Sequence, residues 1–326
     1  MFIRDHFRHT TSDIASGLSR PWQGFACQVL LVLGIWGCAS TVRHDAAIPV
    51  SVPLPVYQEG TTYFYSNGKT ETVEAVAQGS VTWRNQSGYL STGFSDFTYR
   101  RAKWESGTRS GTRSFKKRSN WLGGSSETSL WPLAAGKMVR YTESARWSDA
   151  EGKVHVYQSN WRVEVVGREK VRVKAGTFNA WKIVARRFSG GGLGKTRVRE
   201  IRTWYYARKA GHYVKLERQY PGRRPGRTIE LVAILPSLDH LDDDMQSQVN
   251  TNFQMALENN PSGVPLPWHV AGQTSSGTTT PTATFRLKSG AYCRQYVQTV
   301  TGRGKQRFFF GLACRTANGD WKVPRQ

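Results

Sequence analysis

Between residues 57 and 236 apolar and polar side chains alternate in short runs, and this period of two constrains the fold more than anything else in the chain. It recurs at Val154/Val156, Trp161/Val163/Val165, Val171/Val173, Trp181/Ile183, Ile201/Thr203/Tyr205, Val214/Leu216 and Ile229/Leu231/Ala233/Leu235. Successive side chains of a strand point to opposite faces, so this period marks strands with one buried face. Turn residues separate the runs at Asn67-Gly68, Asp149 to Gly152, Ala175-Gly176, Ala210-Gly211 and Pro221-Gly222. No helical period competes here. The expectation is an all-β fold, a curved antiparallel sheet or open barrel, with many Trp and Tyr rings facing partly outward as core and rim.

A single helix is predicted over residues 238–260. Asp239 suits the N-cap, Asp242 to Asp244 suit the positive end of the helix dipole, and Leu241, Met245, Val249 and Phe253 recur every four residues. Asn259-Asn260-Pro261 stops it, which makes it a connector to a small β domain at 261–326. In that domain a two-residue turn at Arg303-Gly304 sets a hairpin register. Cys293 falls opposite Cys314, Gln295 opposite Leu312, Val297 opposite Phe310, Thr299 opposite Phe308, and Tyr296 covers Gly311. Non-hydrogen-bonded partners in an antiparallel pair have Cα atoms ~4.5 Å apart, inside the range a disulfide spans. A disulfide is therefore expected, worth about 3 kcal/mol for a loop of this length. Two cysteines alone do not make a zinc site, which takes four ligands.

The formal net charge is +23, and most of the excess lies between Tyr99 and Glu230. Such a field concentrates anionic partners. Two clusters stand out as candidate anion-binding residues. Arg109, Arg113, Lys116, Lys117 and Arg118 surround Phe115 in what reads as a basic loop, and Arg223, Arg224 and Arg227 form the second group. Each could grip phosphates or be a hairpin tip kept soluble by charge, and anion contact by at least one of them is the preferred reading. No helix-turn-helix, zinc-finger or RNA-binding pattern accompanies the charge, so nucleic acid is not the expected partner.

The N-terminus carries Arg4, Arg8 and Arg20, then an apolar run from Gly24 to Trp36. A basic leader followed by a short apolar stretch and a small residue is the layout of a secretory signal. The run is shorter than the ~20 residues a spanning helix needs. Ile35-Trp36-Gly37-Cys38 resembles the lipobox of bacterial lipoproteins. That resemblance implies cleavage before Cys38, acylation of its thiol and a membrane anchor; Ala39-Ser40 after it implies the outer membrane. An ordinary cleaved signal, or an uncleaved anchor with Cys38 incidental, is the alternative. The expected organisation is a signal peptide at 1–37, a lipidated tether at 38–56 with Pro49, Pro53 and Pro55, a basic β domain at 57–236, the connector helix and the terminal β domain.

Two further resemblances follow from longer motifs. Val171 to Val184 (VRVKAGTFNAWKIV) with Thr203 to Lys215 (TWYYARKAGHYVK) resembles bacterial envelope proteins of the TapB type, which implies a curved β-sheet and transfers no catalytic residue. Ala256-Leu257-Glu258, Ser262-Gly263, Trp268, Pro281, Tyr292-Cys293-Arg294, Ala313-Cys314-Arg315 and Asn318 to Lys322 resemble the C-terminal domain of the 17 kDa surface antigens of Gram-negative bacteria. That family is typically an outer-membrane lipoprotein, and its molecular role does not carry over.

Catalytic motifs find no support. Gly190 to Thr196 looks like a phosphate-binding loop, but Ser189 stands where the P-loop needs glycine, and Arg197 to Ile201 alternates like a strand. A hairpin loop is the expectation. His44, His155, His212, His240 and His269 are scattered. His240 beside Asp239 and Asp242 to Asp244 could attract a cation, and an acidic helix start is the preferred reading. No catalytic residue, metal or cofactor is expected. Three functions stand: an outer-membrane lipoprotein that binds lipopolysaccharide, anionic lipid or cell-wall polymer; an assembly lipoprotein acting through protein partners; and a cryptic envelope enzyme.

Overall fold

The computed structural model describes residues 51–117, 129–189, 197–237, 243–269, 275–302 and 305–324, all within one compact unit, Ile48–Gln326. Twelve strands come first: β1 (Thr62–Tyr65), β2 (Thr70–Ala77), β3 (Ser80–Asn85), β4 (Leu90–Phe94), β5 (Lys103–Ser106), β6 (Arg109–Lys117), β7 (Met138–Ser148), β8 (Val154–Val173), β9 (Gly176–Ser189), β10 (Arg197–Ala207), β11 (His212–Tyr220) and β12 (Arg224–Leu235). Each pairs antiparallel with the next. β12 then returns to β1 through Thr62↔Leu235, Tyr63↔Ile234 and Phe64↔Ala233. The sheet is thus a closed up-and-down barrel, and closure removes the free edges an open sheet would present.

The aromatic rings expected partly outward are mostly inside. Tyr63, Tyr65, Trp83, Tyr141, Trp161 and Trp204 are buried with Val73, Val81, Val163, Val165, Ile183, Leu216 and Leu231 in one core. A twelve-stranded wall encloses a wide lumen, and only large side chains fill it to interior density. The outer face carries residues such as Thr72, Glu74, Thr82 and Arg84. An apolar interior with a largely polar exterior is the reverse of a membrane-spanning barrel. No described helix is long and apolar enough to cross a membrane.

Local chemistry explains the strand ends. Gly68 has φ 77° and its N–H donates to Tyr65 O at 3.0 Å, closing the Asn67-Gly68 turn. The three alternating runs between Val154 and Val173 are one twenty-residue strand, β8, because Gly167 sits at a bulge opposite β9 instead of ending the strand. At the other side of the barrel Val52, from the proline-rich stretch, is buried and bridges to Leu133.

The C-terminal part contains α1 (Asp243–Asn259), β13 (Leu266–His269), β14 (Ser276–Arg286), β15 (Tyr292–Gly302), β16 (Lys305–Arg315) and β17 (Trp321–Lys322). These five strands form an antiparallel meander. The β15–β16 register is the one expected: Cys293↔Cys314, Gln295↔Leu312, Tyr296↔Gly311, Val297↔Phe310 and Thr299↔Phe308. Cys293 and Cys314 are joined by a disulfide, with Cα atoms 4.0 Å apart. The Tyr296 ring lies directly over Gly311, where any Cβ would collide with it. The meander packs on the barrel through Phe178–Phe310 ring contact at 5.0 Å, a Gln295 side-chain bond to Lys174 O at 3.0 Å, and Val232 against Cys293 and Leu312.

Helix α1 buries Met245, Val249, Asn252, Ala256 and Leu257. Its C-terminal carbonyls need outside donors, and Arg294 supplies them, donating to Leu257 O at 2.6 Å and Asn260 O at 2.7 Å. Glu258 accepts from Arg315 and from Trp321 Nε1, both at 2.9 Å. The residues behind the surface-antigen resemblance are therefore the ones that tie α1 to the sheet. The proposed N-cap Asp239, His240, the Gly190 to Thr196 run, the turn at Arg303-Gly304, and the leader with Cys38 lie outside the described residues.

Candidate anion-binding site

The two ends of the barrel have opposite chemistry. One is closed by Tyr57, Phe97, Leu130, Trp131 and Leu133, all buried. Phe97 contacts Trp131, Tyr206, His212 and Tyr213 with ring centroids 5.4–5.9 Å away. The other end, where the turns at 66–69, 86–89, 107–108, 149–153 and 221–223 gather, is lined by arginine.

Three buried carboxylates organise that lining. Glu143 on β7 is wholly buried and accepts from Trp161 Nε1 at 2.7 Å, Tyr157 OH at 2.8 Å and Arg100 at 3.1 Å, with Arg113 at 3.2 Å. Glu200 on β10 accepts from Arg202 Nε at 2.7 Å and Arg187 Nε at 3.1 Å. Glu71 on β2 pairs with Lys69 and Arg101, both at 2.9 Å. Burial alone would raise the carboxyl pKa of Glu71, but Lys69 and Arg101 outweigh it and hold the group well below the usual carboxylate range. The same balance, set by Arg202, Arg187 and Arg218, lowers Glu200. Burial lowers the pKa of Arg113 and Arg202 as well, yet an arginine stays charged at neutral pH.

Cations outnumber these carboxylates. Arg202, Arg218 and Arg227 stand directly opposite one another across β10, β11 and β12, through Arg202↔Arg218 and Arg218↔Arg227. All three belong to the inward face, two residues along their strands from Trp204, Leu216 and Ile229, which pack in the core. Arg202 pairs with Glu200. Arg218 has no ion pair among the described residues, and its Nε is buried without a hydrogen-bond partner. Guanidinium groups also stack on rings here: Arg202 over Trp161 at 4.7 Å, Arg113 over Trp104 at 5.2 Å, Arg109 over Trp147 at 5.6 Å and Arg224 over Tyr220 at 3.9 Å.

The sequence-predicted residues divide. Residues 109–117 form strand β6 and not a loop, paired with β7 along Ser110 to Lys117 and with β5 along Arg109 to Thr112. Arg109 begins that strand beside the 107–108 turn and Arg113 reaches Glu143 on the inner wall, whereas Lys116 and Lys117 lie at its far end, opposite Thr142 and Tyr141. Arg223 sits in the β11–β12 turn, with Arg224 and Arg227 at the start of β12. Arg118 lies outside the described residues. Sequence reading missed Arg100, Arg101, Arg187, Arg202 and Arg218, which occur singly or in pairs rather than in a cluster. The signal was available in the alternation: Arg187, Arg202 and Arg218 each continue an inward series through Ala185, Trp204 or Leu216.

Two other features carry less charge. His212 lies among Tyr57, Tyr63, Trp83 and Tyr213, with Tyr57 OH 2.8 Å from Nδ1. Burial pushes its pKa down to about 3, so the ring is neutral. A groove of about 860 Å³ runs between Phe64, Leu235, Val249, Phe253 and Val323. Its rim cations Arg315 and Lys322 are paired with Glu258 and Asp320. No cluster of three or more His, Cys, Asp or Glu suited to a metal occurs among the described residues.

Residues 255–322 match the 17 kDa outer membrane surface antigen family. The chain is similar to the 17 kDa surface antigen of Rickettsia bellii, 37% identical over 83 residues, covering 26% of this chain and 52% of that protein. It is likewise 39% identical over 82 residues to the 17 kDa surface antigen of Rickettsia prowazekii, covering 25% of this chain and 52% of the relative. A solved structure, the hypothetical lipoprotein YmcC from Escherichia coli, aligns with a TM-score of 0.34 and 12% identity over 55% of this chain and 85% of that one. The chain spans about half the length of the curated relatives it matches, and the likeness to them lies in the disulfide-linked C-terminal part, outside the arginine-lined barrel.

Proposed function

We propose that this protein is a cell-envelope lipoprotein that binds anionic envelope components at the charged end of its barrel, without chemistry on them. Cys38 is the proposed anchor point and the outer membrane the proposed location. The observation that carries the reading is the surplus of inward arginines over the carboxylates beside them. The surface-antigen likeness of residues 255–322 supports an envelope setting. Lipopolysaccharide, anionic lipid and cell-wall polymer all present the phosphate or carboxylate groups that arginine recognises.

The test is binding of the full-length protein in detergent to immobilised lipopolysaccharide across a salt series. Binding that is strong at low salt and falls steadily as salt rises is expected. Absence of binding at low salt, or binding indifferent to salt, contradicts the reading.

A further inference from the structure

The geometry points to a specific phosphate site inside the charged end of the barrel, formed by the file Arg202, Arg218 and Arg227 with Arg100 beside it. This rests on the anion-binding reading above and narrows it to one chemical group and one place.

Like charges directly opposite on one face of a sheet repel. Here two such contacts are consecutive, Arg202 to Arg218 and Arg218 to Arg227. The neighbouring carboxylates relieve them only in part: Glu200 attracts Arg218 electrostatically, but no ion pair joins the two among the described residues. Glu143 already accepts from Trp161, Tyr157, Arg100 and Arg113, and Glu200 is shared between Arg202 and Arg187. Arg218 is left with a buried Nε–H and no acceptor among the described residues. A buried donor without a partner is costly, and an anion placed between Arg202 and Arg218 would remove both that cost and the repulsion.

Access follows from the exposure gradient along the file. Arg202 is buried at 7% relative exposure, Arg218 is half-buried, and Arg227 is exposed. The file thus leads from solvent into the barrel. Arg100 donates to Glu143 at 3.1 Å, Glu143 also accepts from Trp161 Nε1, and Arg202 stacks on that Trp161 ring, so a further cation lies beside the buried end. Donors from several directions suit a tetrahedral oxyanion better than a planar carboxylate, which is satisfied by one bidentate arginine. Cation stacking of Arg202 on Trp161 fixes the floor. The same chemistry is offered by a free phosphate and by a phosphate on a lipid headgroup.

Calorimetric titration of the full-length protein in detergent with inorganic phosphate tests the site. One phosphate should bind per chain, and Arg218→Gln should weaken it by about tenfold or more, the scale of a lost charged hydrogen bond. Arg227→Gln, at an exposed position that leaves folding intact, should weaken it to a smaller degree, and Lys116→Gln should not. If Arg218→Gln loses its near-ultraviolet dichroism, Arg227→Gln alone decides. Phosphatidic acid in mixed micelles forms the second arm. Tighter binding than inorganic phosphate, with the same loss in the variants, assigns the lipid headgroup; equal affinity assigns free phosphate. Unchanged phosphate affinity in both arginine variants overturns the site, as does failure of the unaltered protein to bind either probe. Should lipopolysaccharide still bind in a salt-dependent way, the broader reading survives and only the phosphate site falls.

Discussion

Arg202 and Arg218 face each other across β10 and β11 on the inner wall of the barrel, and Glu200 is ion-paired with Arg202 and Arg187 but, among the described residues, not with Arg218. Their mutual repulsion makes a stability prediction opposite in sign to most substitutions. Arg218→Gln should stabilise the anion-free protein by up to about 1 kcal/mol at low salt, the range of cross-strand pair energies. Thermal melts at low and high salt check this, and the gain should shrink as salt screens the pair.

Glu143 is the opposite case. It holds Arg100 and Arg113 together with Trp161 Nε1 and Tyr157 OH. Glu143→Gln keeps the shape but leaves buried positive charge uncompensated, and should cost about 3 kcal/mol. Urea unfolding of the variant, compared at constant m-value, measures it.

His212 gives a pH dependence. Its folded pKa is depressed to about 3 from the ordinary histidine value of 6.5, first because burial disfavours the charged form. The unfolded chain therefore takes up a proton that the folded chain refuses. The stabilisation is complete above about pH 6.5 and is lost as pH falls toward 3, at about 1.4 kcal/mol per unit. Stability measured from pH 7 to 4.5 should slope downward, and His212→Gln should flatten the slope whatever its effect at pH 7. Glu71 and Glu200, also depressed, add their own loss only below the ordinary carboxylate range.

The Cys293–Cys314 bond closes a segment with sequence separation 21. Cys314→Ser should cost about 3 kcal/mol, and hydrogen exchange should rise in β14 to β17 while the barrel strands stay protected. Uniform loosening of the barrel would contradict that division.

Much of this was legible in the chain. The alternation from Val154 onward and the glycine turns specify antiparallel strands, and a two-residue turn at Arg303-Gly304 specifies the β15–β16 register, with Cys293 opposite Cys314, residue by residue. Closure was not legible, because the Thr62↔Leu235 pairing joins residues from opposite ends of the domain and leaves no local pattern. The direction of the aromatic rings was misread for the same reason: an open sheet has a rim, whereas a closed wall needs Trp83 and Trp161 to fill its centre. The candidate site leaves little trace in the sequence: Arg113 belongs to a visible basic cluster, but Arg202 and Arg218 are isolated in sequence and meet only through strand pairing.

The most direct measurement is a crystal of the full-length protein grown with tungstate, whose anomalous signal marks a tetrahedral oxyanion. A peak between the guanidinium groups of Arg202, Arg218 and Arg227 is the expected result. Tungstate found only at Arg223 and Arg224 on the rim, or nowhere on the protein, would contradict an anion site within the barrel.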